Sequence, residues 1–409
     1  MQLSIPTNWD LQLLDQIDKT AAAEIYGKLA KDIIGGGRVS FALPDISRRA
    51  VKRYVEKTHR YGLRFNYLLN STCLGNREWS RKGQYEIERL LGWLDHIGVD
   101  ALTVANPYLL QRIKKRYPRF KVYVSTQTGI DTIQEARHWQ DMGADRITLS
   151  VHRANRNFLL LRRLKDHVSC EVQLIVNLQC LKNCPFWLYH GNSSSHSSQT
   201  DESGNRFVVD YCFLMCNHIR LKNPEEFIRS GWIRPEDTGV YEEIGIDNFK
   251  LVNRTMPTRD IVRTVAAYTR RRYDGNLLDL FSDPSRTFVF ENLSPVKKLV
   301  HVLRHFFRPL EVDVLRFSKM KELMVSPPLY IDNRALDGFI EHFLNDDAGA
   351  QRVCSECAYC KKMAQKSVTV TDENALKELI VNYEAFLESI VSGNIFYLTP
   401  SLKSKNIIE

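Results

Sequence analysis

The chain has 409 residues, of which 44% are hydrophobic and 26% charged, with a formal net charge of +9. That is ordinary globular composition, and no apolar run approaches the roughly 20 residues that a membrane-crossing helix needs. The start, Met1-Gln-Leu-Ser-Ile-Pro, shows no basic segment followed by an apolar one, so a cytoplasmic, reducing setting is expected.

In chain order, short β-branched or apolar runs fall at Leu3–Ile5, Glu24–Tyr26, Arg64–Asn70, Ala101–Asn106, Val122–Thr126, Arg146–Val151, Val172–Asn177 and Asn248–Val252. Between them lie stretches at helical spacing, such as Tyr85–Ile97, Pro107–Arg116, Asp131–Met142 and Asn155–Asp166, with Gly98 and Gly143 placed as C-caps. Eight such units predict an α/β fold, a TIM-like (β/α)8 barrel. The first two strands are the weakest signals, with Val39–Leu43 as another source of a strand there. The triplet Gly35-Gly36-Gly37 lacks phosphate-loop spacing and reads as a flexible turn. Residues 189–207, rich in Ser, Gly and Asn, read as a mobile surface loop. Beyond Pro257 the pattern turns helical, at Arg259–Arg272, Pro295–Phe307, Asn333–Leu344 and Glu373–Val391. Two domains are therefore expected: 1–273, a barrel with a cysteine-bearing insertion at about 180–218, and a mainly helical extension over 274–409.

Seven of the nine cysteines lie in two tight groups, which in a reducing setting points to metal or cluster ligation. The first is Cys180-x3-Cys184 with Cys212-x3-Cys216, directly after the seventh strand. Catalytic groups of a barrel gather at that face. The spacing suits an all-cysteine zinc site or an iron-sulfur cluster equally, and buried thiols are the third reading. The second group, Cys354-x2-Cys357-x2-Cys360, is three ligands wide, and Cys73, after the third strand, is the candidate fourth. Cys170 precedes its strand and reads as a packed thiol, while His190, His196 and His218 read as solvated. Basic clusters at Arg112–Lys121 and Arg270–Arg272 suit either an RNA or an ordinary solvated surface. Paired carboxylates, HExxH and a nucleophile elbow are missing, so a conventional hydrolase has no motif here.

Five blocks carry a resemblance: Gly98–Pro107 (GVDALTVANP), Val122–Gln127 (VYVSTQ), Trp139–Leu149 (WQDMGADRITL), the Cys180 region and Gly245–Arg254 (GIDNFKLVNR). Together they resemble the collagenase-like peptidase family U32, over roughly residues 1–273. The resemblance implies an iron-sulfur protein acting in oxygen-independent hydroxylation, as in ubiquinone biosynthesis and in tRNA and ribosomal-RNA modification, with prephenate as a source of the hydroxyl oxygen. It implies a 4Fe-4S cluster on Cys180, Cys184, Cys212 and Cys216, and favours iron-sulfur over zinc. A second cluster on the 354–360 group, with zinc as its rival, is the companion expectation. The family's Lys-x-Glu-Gly-Arg block stands here as Lys250-Leu-Val-Asn-Arg254, and its acidic segment after the sixth strand is replaced by Val151-His152-Arg153. A different substrate is therefore expected: a small metabolite, a peptide or an RNA base.

By position at strand ends, Asn70, Asn106, Gln127, Asn177, Lys250 and Arg254 would ring a pocket for a carboxylated ligand, joined by His152 and Arg153. Of these, Lys250, Arg254, Asn70, Gln127 and His152 are the expected catalytic residues. The rival functions are a peptidase, after the family's historical label, and a non-catalytic iron-sulfur or RNA-binding subunit that works with a protein partner.

Overall fold

The computed structural model describes residues 1–200, 210–252, 254–283, 285–306, 311–344 and 354–396, without the side chains of residues 290, 304–306, 354 and 355. Eight parallel strands close into a barrel in sequence order. They are β1 (Gln2–Pro6), β2 (Ala22–Gly27), β3 (Arg64–Leu69), β4 (Ala101–Val104), β5 (Lys121–Val124), β6 (Arg146–Thr148), β7 (Glu171–Ile175) and β8 (Asn248–Lys250). The ring closes where Leu3 and Ser4 of β1 pair with Phe249 and Lys250 of β8. All eight expected strands are present.

Strand alternation sorts the side chains into two populations. Leu3, Ile5, Ile25, Phe65, Leu102, Val122, Ile147, Leu174 and Phe249 are fully buried under the surrounding helices. The opposite set is polar and fills the barrel. Glu24 Oε1 accepts from Ser4 Oγ at 2.7 Å, Asn66 Nδ2 at 3.3 Å and Arg146 Nη1 at 3.0 Å. Gln173 Nε2 donates to Ser4 Oγ at 2.8 Å, and Thr103 Oγ1 donates to Asn66 at 2.9 Å. The Glu24–Arg146 pair joins β2 to β6 across the interior, where branched aliphatics are the usual filling. Burial pushes the Glu24 carboxyl up, but Arg146, Ser4 and Lys250 together bring it below its ordinary range. The floor beneath the barrel mouth is thus an ionic network rather than an apolar plug, with Glu24 Oε2 and Arg146 Nη2 left without a hydrogen-bond partner among the described residues.

Helices at Arg81–His96, Pro107–Arg116, Ile133–Asp141 and Phe158–His167 follow the pattern read from the sequence. Gly98 (φ +82°) and Gly143 (φ +104°) end two of these turns in the left-handed region that favours glycine. Three expectations are corrected. The Gly35–Gly37 segment is packed, not a free turn: Asp32 Oδ1 accepts from Ile34 N and Gly35 N, and Ser198 Oγ accepts from Gly36 N at 2.8 Å. A Cβ on Gly36 would stand 2.7 Å from Asn70 Oδ1, and one on Gly37 2.6 Å from Gln127 Nε2, so these glycines let backbone lie against side chains of the barrel mouth.

The serine-rich stretch is largely a helix, Trp187–Ser197, with Ser194, Ser195 and Ser197 buried. Ser195 Oγ accepts from Thr72 N at 3.0 Å, and Ser198 Oγ donates to Gly36 O at 3.1 Å. Small hydroxyl side chains allow close approach to the glycine segment and satisfy its amides, which composition alone mistakes for solvation. The remainder of that stretch, 201–209, lies outside the described residues. The third correction concerns Asn333–Leu344, which forms two 3-10 turns, Arg334–Leu336 and Phe339–Phe343, because Gly338 (φ +79°) breaks the run.

The C-terminal segment packs directly on the barrel. Arg234 pairs with Asp337 at 2.9 Å and donates to Asn333 O, and Arg162 reaches Leu344 O. Glu384, on the helix Glu373–Val391, meets His218 and Lys222 on the helix that carries Cys212 and Cys216. One hydrophobic cluster runs from Leu3 in β1 to Ile395.

Candidate active site

At the C-terminal ends of the strands lies a cavity of about 550 Å³, counting its open mouth. Strand β8 contributes Lys250, and the segment after it contributes Val252 and, in a turn, Arg254; all three line the cavity. Asn70, Ser125 and Gln127 supply amides and a hydroxyl from the ends of β3 and β5, and Asn70 Nδ2 donates to Ser125 Oγ at 3.1 Å. Four of the five residues expected to be catalytic, Lys250, Arg254, Asn70 and Gln127, thus share one cavity.

Sequence reasoning missed Tyr26 and Arg38, which also line it. Lys250 Nζ sits 4.2 Å above the Tyr26 ring, and Tyr26 Oη donates to Leu251 O at 2.6 Å. No sequence motif marked Arg38, because it follows the glycine segment that read as a mere turn.

The electrostatics of this wall are one-sided. Lys250 and Arg254 keep 7% and 5% of their exposure. Burial pulls the Lys250 ammonium down to about 8, against the help of Glu24, and pulls the Arg254 guanidinium down to about 10. Arg38 is lowered in the same way. Arg254 Nη1 is buried without a hydrogen-bond partner. Asp32, whose charge reaches Arg254, is itself engaged by Lys28 at 2.9 Å, by Tyr67 Oη at 3.0 Å and by two amides. Two buried cations and the half-buried Arg38, without an ion pair of their own among the described residues, make this wall suited to an anion.

An anion seated there favours the Lys250 ammonium, while the free protein loses that proton as pH rises through about 8. Affinity for a dicarboxylate is therefore expected to stay flat below about pH 8 and to fall above it, by at most tenfold per pH unit. Titration calorimetry from pH 6 to 9.5 checks this, and Lys250→Met should remove the slope.

Beside the cavity stands the first cysteine group. Leu178 lines the cavity two residues before Cys180, and the charge of Arg38 reaches the Cys180 thiol. Cys180 and Cys184 lie in the loop after β7, whereas Cys212 and Cys216 stand one turn apart on the helix Tyr211–Lys222. Burial, followed by the neighbouring thiols, raises Cys180 to about 12, and burial raises Cys212 to about 11. Cys184 and Cys216 are raised more modestly. Cys180, Cys212 and Cys216 each feel the charge of Cys184, so the four share one compartment.

Two features there suit thiolate ligands. Cys184 receives the backbone N–H groups of Phe186 and Trp187. Arg220, 6% exposed, donates to Gln179 O and to Asn217 Oδ1 at 2.7 Å, lies 4.0 Å from Cys216 Sγ, and makes no ion pair among the described residues. Its charge favours the anionic form of Cys180, Cys184 and Cys216. Among the described residues, no three His, Cys, Asp or Glu side chains converge closely enough to hold a metal ion. The donor chemistry fits a four-thiolate group, and binding one requires the thiols to deprotonate and draw together.

The other expected residues are placed differently. Asn106 caps the helix Pro107–Arg116 through Tyr108 N and Leu109 N. Asn177 clamps Val252 and Leu280. Arg153 pairs with Asp131 at 2.9 Å. His152 is half-buried behind the cysteine loop: its carbonyl accepts from Asn183 N, its buried Nδ1 has no partner among the described residues, and desolvation lowers it to about 4.

His190 and His218 are ion-paired, with Asp210 at 2.5 Å and Glu384 at 3.2 Å, rather than simply solvated. In the basic cluster Arg112 and Arg116 pair with Glu88, Lys114 and Lys121 with Asp145, and Arg119 with Asp95, so three carboxylates offset part of its positive charge. Cys170 is a partly buried thiol raised to about 11. Cys73 Sγ accepts from Gly75 N at 3.4 Å, and its carbonyl accepts from Gln199. Cys357 meets a different neighbour, His342, with Sγ 3.5 Å from Nε2. Cys360 opens the helix Tyr359–Ser367, and the Cys354 side chain lies outside the described residues.

Fold and site together define a (β/α)8-barrel protein with a cationic mouth set against a four-thiol compartment. Residues 34–206 match the model of peptidase family U32, and the chain carries a U32 region as its motifs indicated. It is 29% identical over 339 residues to an uncharacterized protease of Methanocaldococcus jannaschii, covering 83% of this chain and 87% of that protein. It is 24% identical over 211 residues to the tRNA hydroxylation protein P1 of Bacillus subtilis, covering 47% of each chain. The tRNA hydroxylation protein P2 of the same organism is 24% identical over 235 residues, covering 54% of this chain and 71% of that protein. The solved structure of the U32 peptidase Mk0906 is 24% identical and covers 59% of this chain and 88% of that one, at a TM-score of 0.43. No helix among the described residues is long and apolar enough to cross a membrane.

Proposed function

We propose that this protein is an iron-sulfur enzyme that carries out an oxygen-independent modification, hydroxylation by preference, with an anionic, carboxylated co-substrate of the prephenate kind held at the barrel mouth. The observation that carries this reading is the set of three cations, the buried Lys250 and Arg254 and the half-buried Arg38, without an ion pair among the described residues and walled by amides beside a compartment of four thiols. Relatives named for tRNA hydroxylation support the reaction class. Cys180, Cys184, Cys212 and Cys216 would hold the cluster, which when bound supplies electrons one at a time.

This chain's own residues then divide the remaining work. Arg254 grips a carboxylate with its fork, and Lys250 adds a point charge from above Tyr26. Asn70 and Gln127 orient the neutral part of the ligand, and Arg38 stands between ligand and thiols. A peptidase finds less support at this site: Ser125 Oγ accepts from Asn70 Nδ2 and Gln127 N, with no histidine on the cavity wall to activate it.

The test is anaerobic purification with iron and acid-labile sulfide analysis, together with calorimetry of a dicarboxylate. About four irons and four sulfides per chain with saturable anion binding is the expected result. Zinc without sulfide at this site, or no anion binding, sinks the reading.

A further inference from the structure

One helix of the C-terminal segment faces the wrong way for an element that merely covers the barrel. On the helix Pro295–Phe306, Val296, Leu299, Val300 and Leu303 recur at the spacing of a single face, with Val302 at its edge. All five are exposed, Val296 at 72%, Leu299 at 59% and Val300 at 57%. The polar side is turned inward instead. Lys298 and His301 are half-buried, and His301 Nε2 donates to Phe41 O at 2.8 Å. A covering helix would present the opposite face, because aliphatic surface left in water forgoes the gain of burial and a lysine left there does not.

The chain fixes the helix in that orientation. Ser294 O accepts from Lys298 N at 2.8 Å, and Pro295 takes the first position, where a backbone N–H is not needed. Upstream, Phe288 N donates to Thr255 O at 2.7 Å, and Val289 is buried. Both anchors adjoin residues of the barrel mouth: Phe41 comes three positions after Arg38, and Thr255 follows Arg254. The apolar face is thus held outward beside the cavity.

Charge and area say what that face meets. From Asn292 to Leu310 the sequence holds Lys297, Lys298, Arg304 and Arg308 and neither Asp nor Glu, in a chain whose net charge is +9. A 12-residue helix is about 18 Å long, so its apolar stripe offers roughly 200–400 Å². A standard protein interface takes roughly 800 Å² from each partner. A stripe of this size with basic residues around it matches a helix lying in the headgroup region of a bilayer, where apolar burial and attraction to anionic lipid add.

We propose that the helix Pro295–Phe306 docks this protein on an anionic lipid surface, laying Val296, Leu299, Val300 and Leu303 into it with the exposed Lys297 at the headgroups. The protein is then peripheral, and its barrel mouth is held beside the bilayer. This inference does not rest on the reading of the cavity or of the thiols.

The test is co-sedimentation of the full chain with vesicles of phosphatidylcholine alone and of phosphatidylcholine mixed equally with phosphatidylglycerol. Expected is binding to the mixed vesicles that weakens between about 0.1 M and about 0.5 M salt. Leu299→Gln combined with Leu303→Gln should weaken it at least roughly tenfold, and Lys297→Glu roughly 10- to 30-fold. Val381→Gln, at an exposed position on the helix Glu373–Val391, should change nothing. In Val300→Trp the indole emission should shift to the blue with mixed vesicles only. Absence of vesicle binding overturns the proposal, as does binding that the double variant leaves intact. Equal binding to both vesicle types overturns the anionic preference. A dimer in light scattering that the double variant abolishes assigns the face to a second copy and overturns it too, and a marked drop in the double variant's melting temperature makes the leucines packing residues. Failure of the barrel-mouth reading appears separately, as missing iron.

Discussion

Replacing Arg254 by alanine should weaken binding of a dicarboxylate by roughly 30- to 1,000-fold, corresponding to the about 2–4 kcal/mol lost when one partner of a buried, hydrogen-bonded charge pair is removed. The guanidinium is buried, carries an unpartnered Nη1 and makes no ion pair among the described residues, so its bond-forming capacity is kept for a ligand. Arg254→Lys should restore little, since an ammonium cannot offer two parallel N–H donors. Iron content should be unchanged, because the four cysteines stand on the β7 loop and the helix Tyr211–Lys222, not on the β8 wall. The ligand-free variant should melt no lower than the wild type, because alanine removes a buried charge that costs free energy while no anion is bound. Calorimetry and a melting curve read both effects. An unchanged Kd, or a marked loss of stability without ligand, would show that Arg254 serves the fold instead.

The second large effect concerns the thiols. Cys180→Ala, Cys184→Ala, Cys212→Ala and Cys216→Ala should each remove most of the brown visible absorbance of anaerobically purified protein, since a cluster short of one thiolate is open to solvent and oxidants. Burial keeps these groups protonated, with Cys180 near 12 and Cys212 near 11, so loading the metal-free protein at pH 8 should release close to one proton per thiolate formed. Arg220→Gln should slow loading and leave the assembled group easier to lose, because the buried positive charge beside Cys216 favours the thiolates. Wild-type absorbance in two or more of the cysteine variants would falsify this ligand set.

How much of this was legible beforehand differs between scaffold and site. Local patterns report local causes. Short β-branched or apolar runs gave every barrel strand, and Pro107 gave a helix start to the residue. The serine-rich helix and the glycine triplet were misread because their polarity is satisfied by each other: Ser198 bonds to Gly36 from 162 positions away. A window of neighbours in sequence holds no trace of that partner, so composition defaults to a mobile loop. Gly338 ended the expected helix at Asn333–Leu344, a local signal that the apolar spacing outweighed.

By itself the sequence determined the eight-stranded α/β barrel, the family likeness, the two cysteine motifs and the position of Lys250 and Arg254 at the end of the eighth strand, because each depends on spacing along one short segment. Only the tertiary structure decided which groups meet. It drew Arg38 and Tyr26 into the cavity, turned Asn106 and Asn177 to structural duties, set His152 behind the cysteine loop and brought His342 against Cys357. The physical reason is that an unpaired buried charge or a stacked ring is a property of the whole enclosure. Whether a cation is compensated depends on side chains delivered by strands hundreds of residues apart, as Glu24 compensates Arg146 and no residue compensates Arg254 among those described.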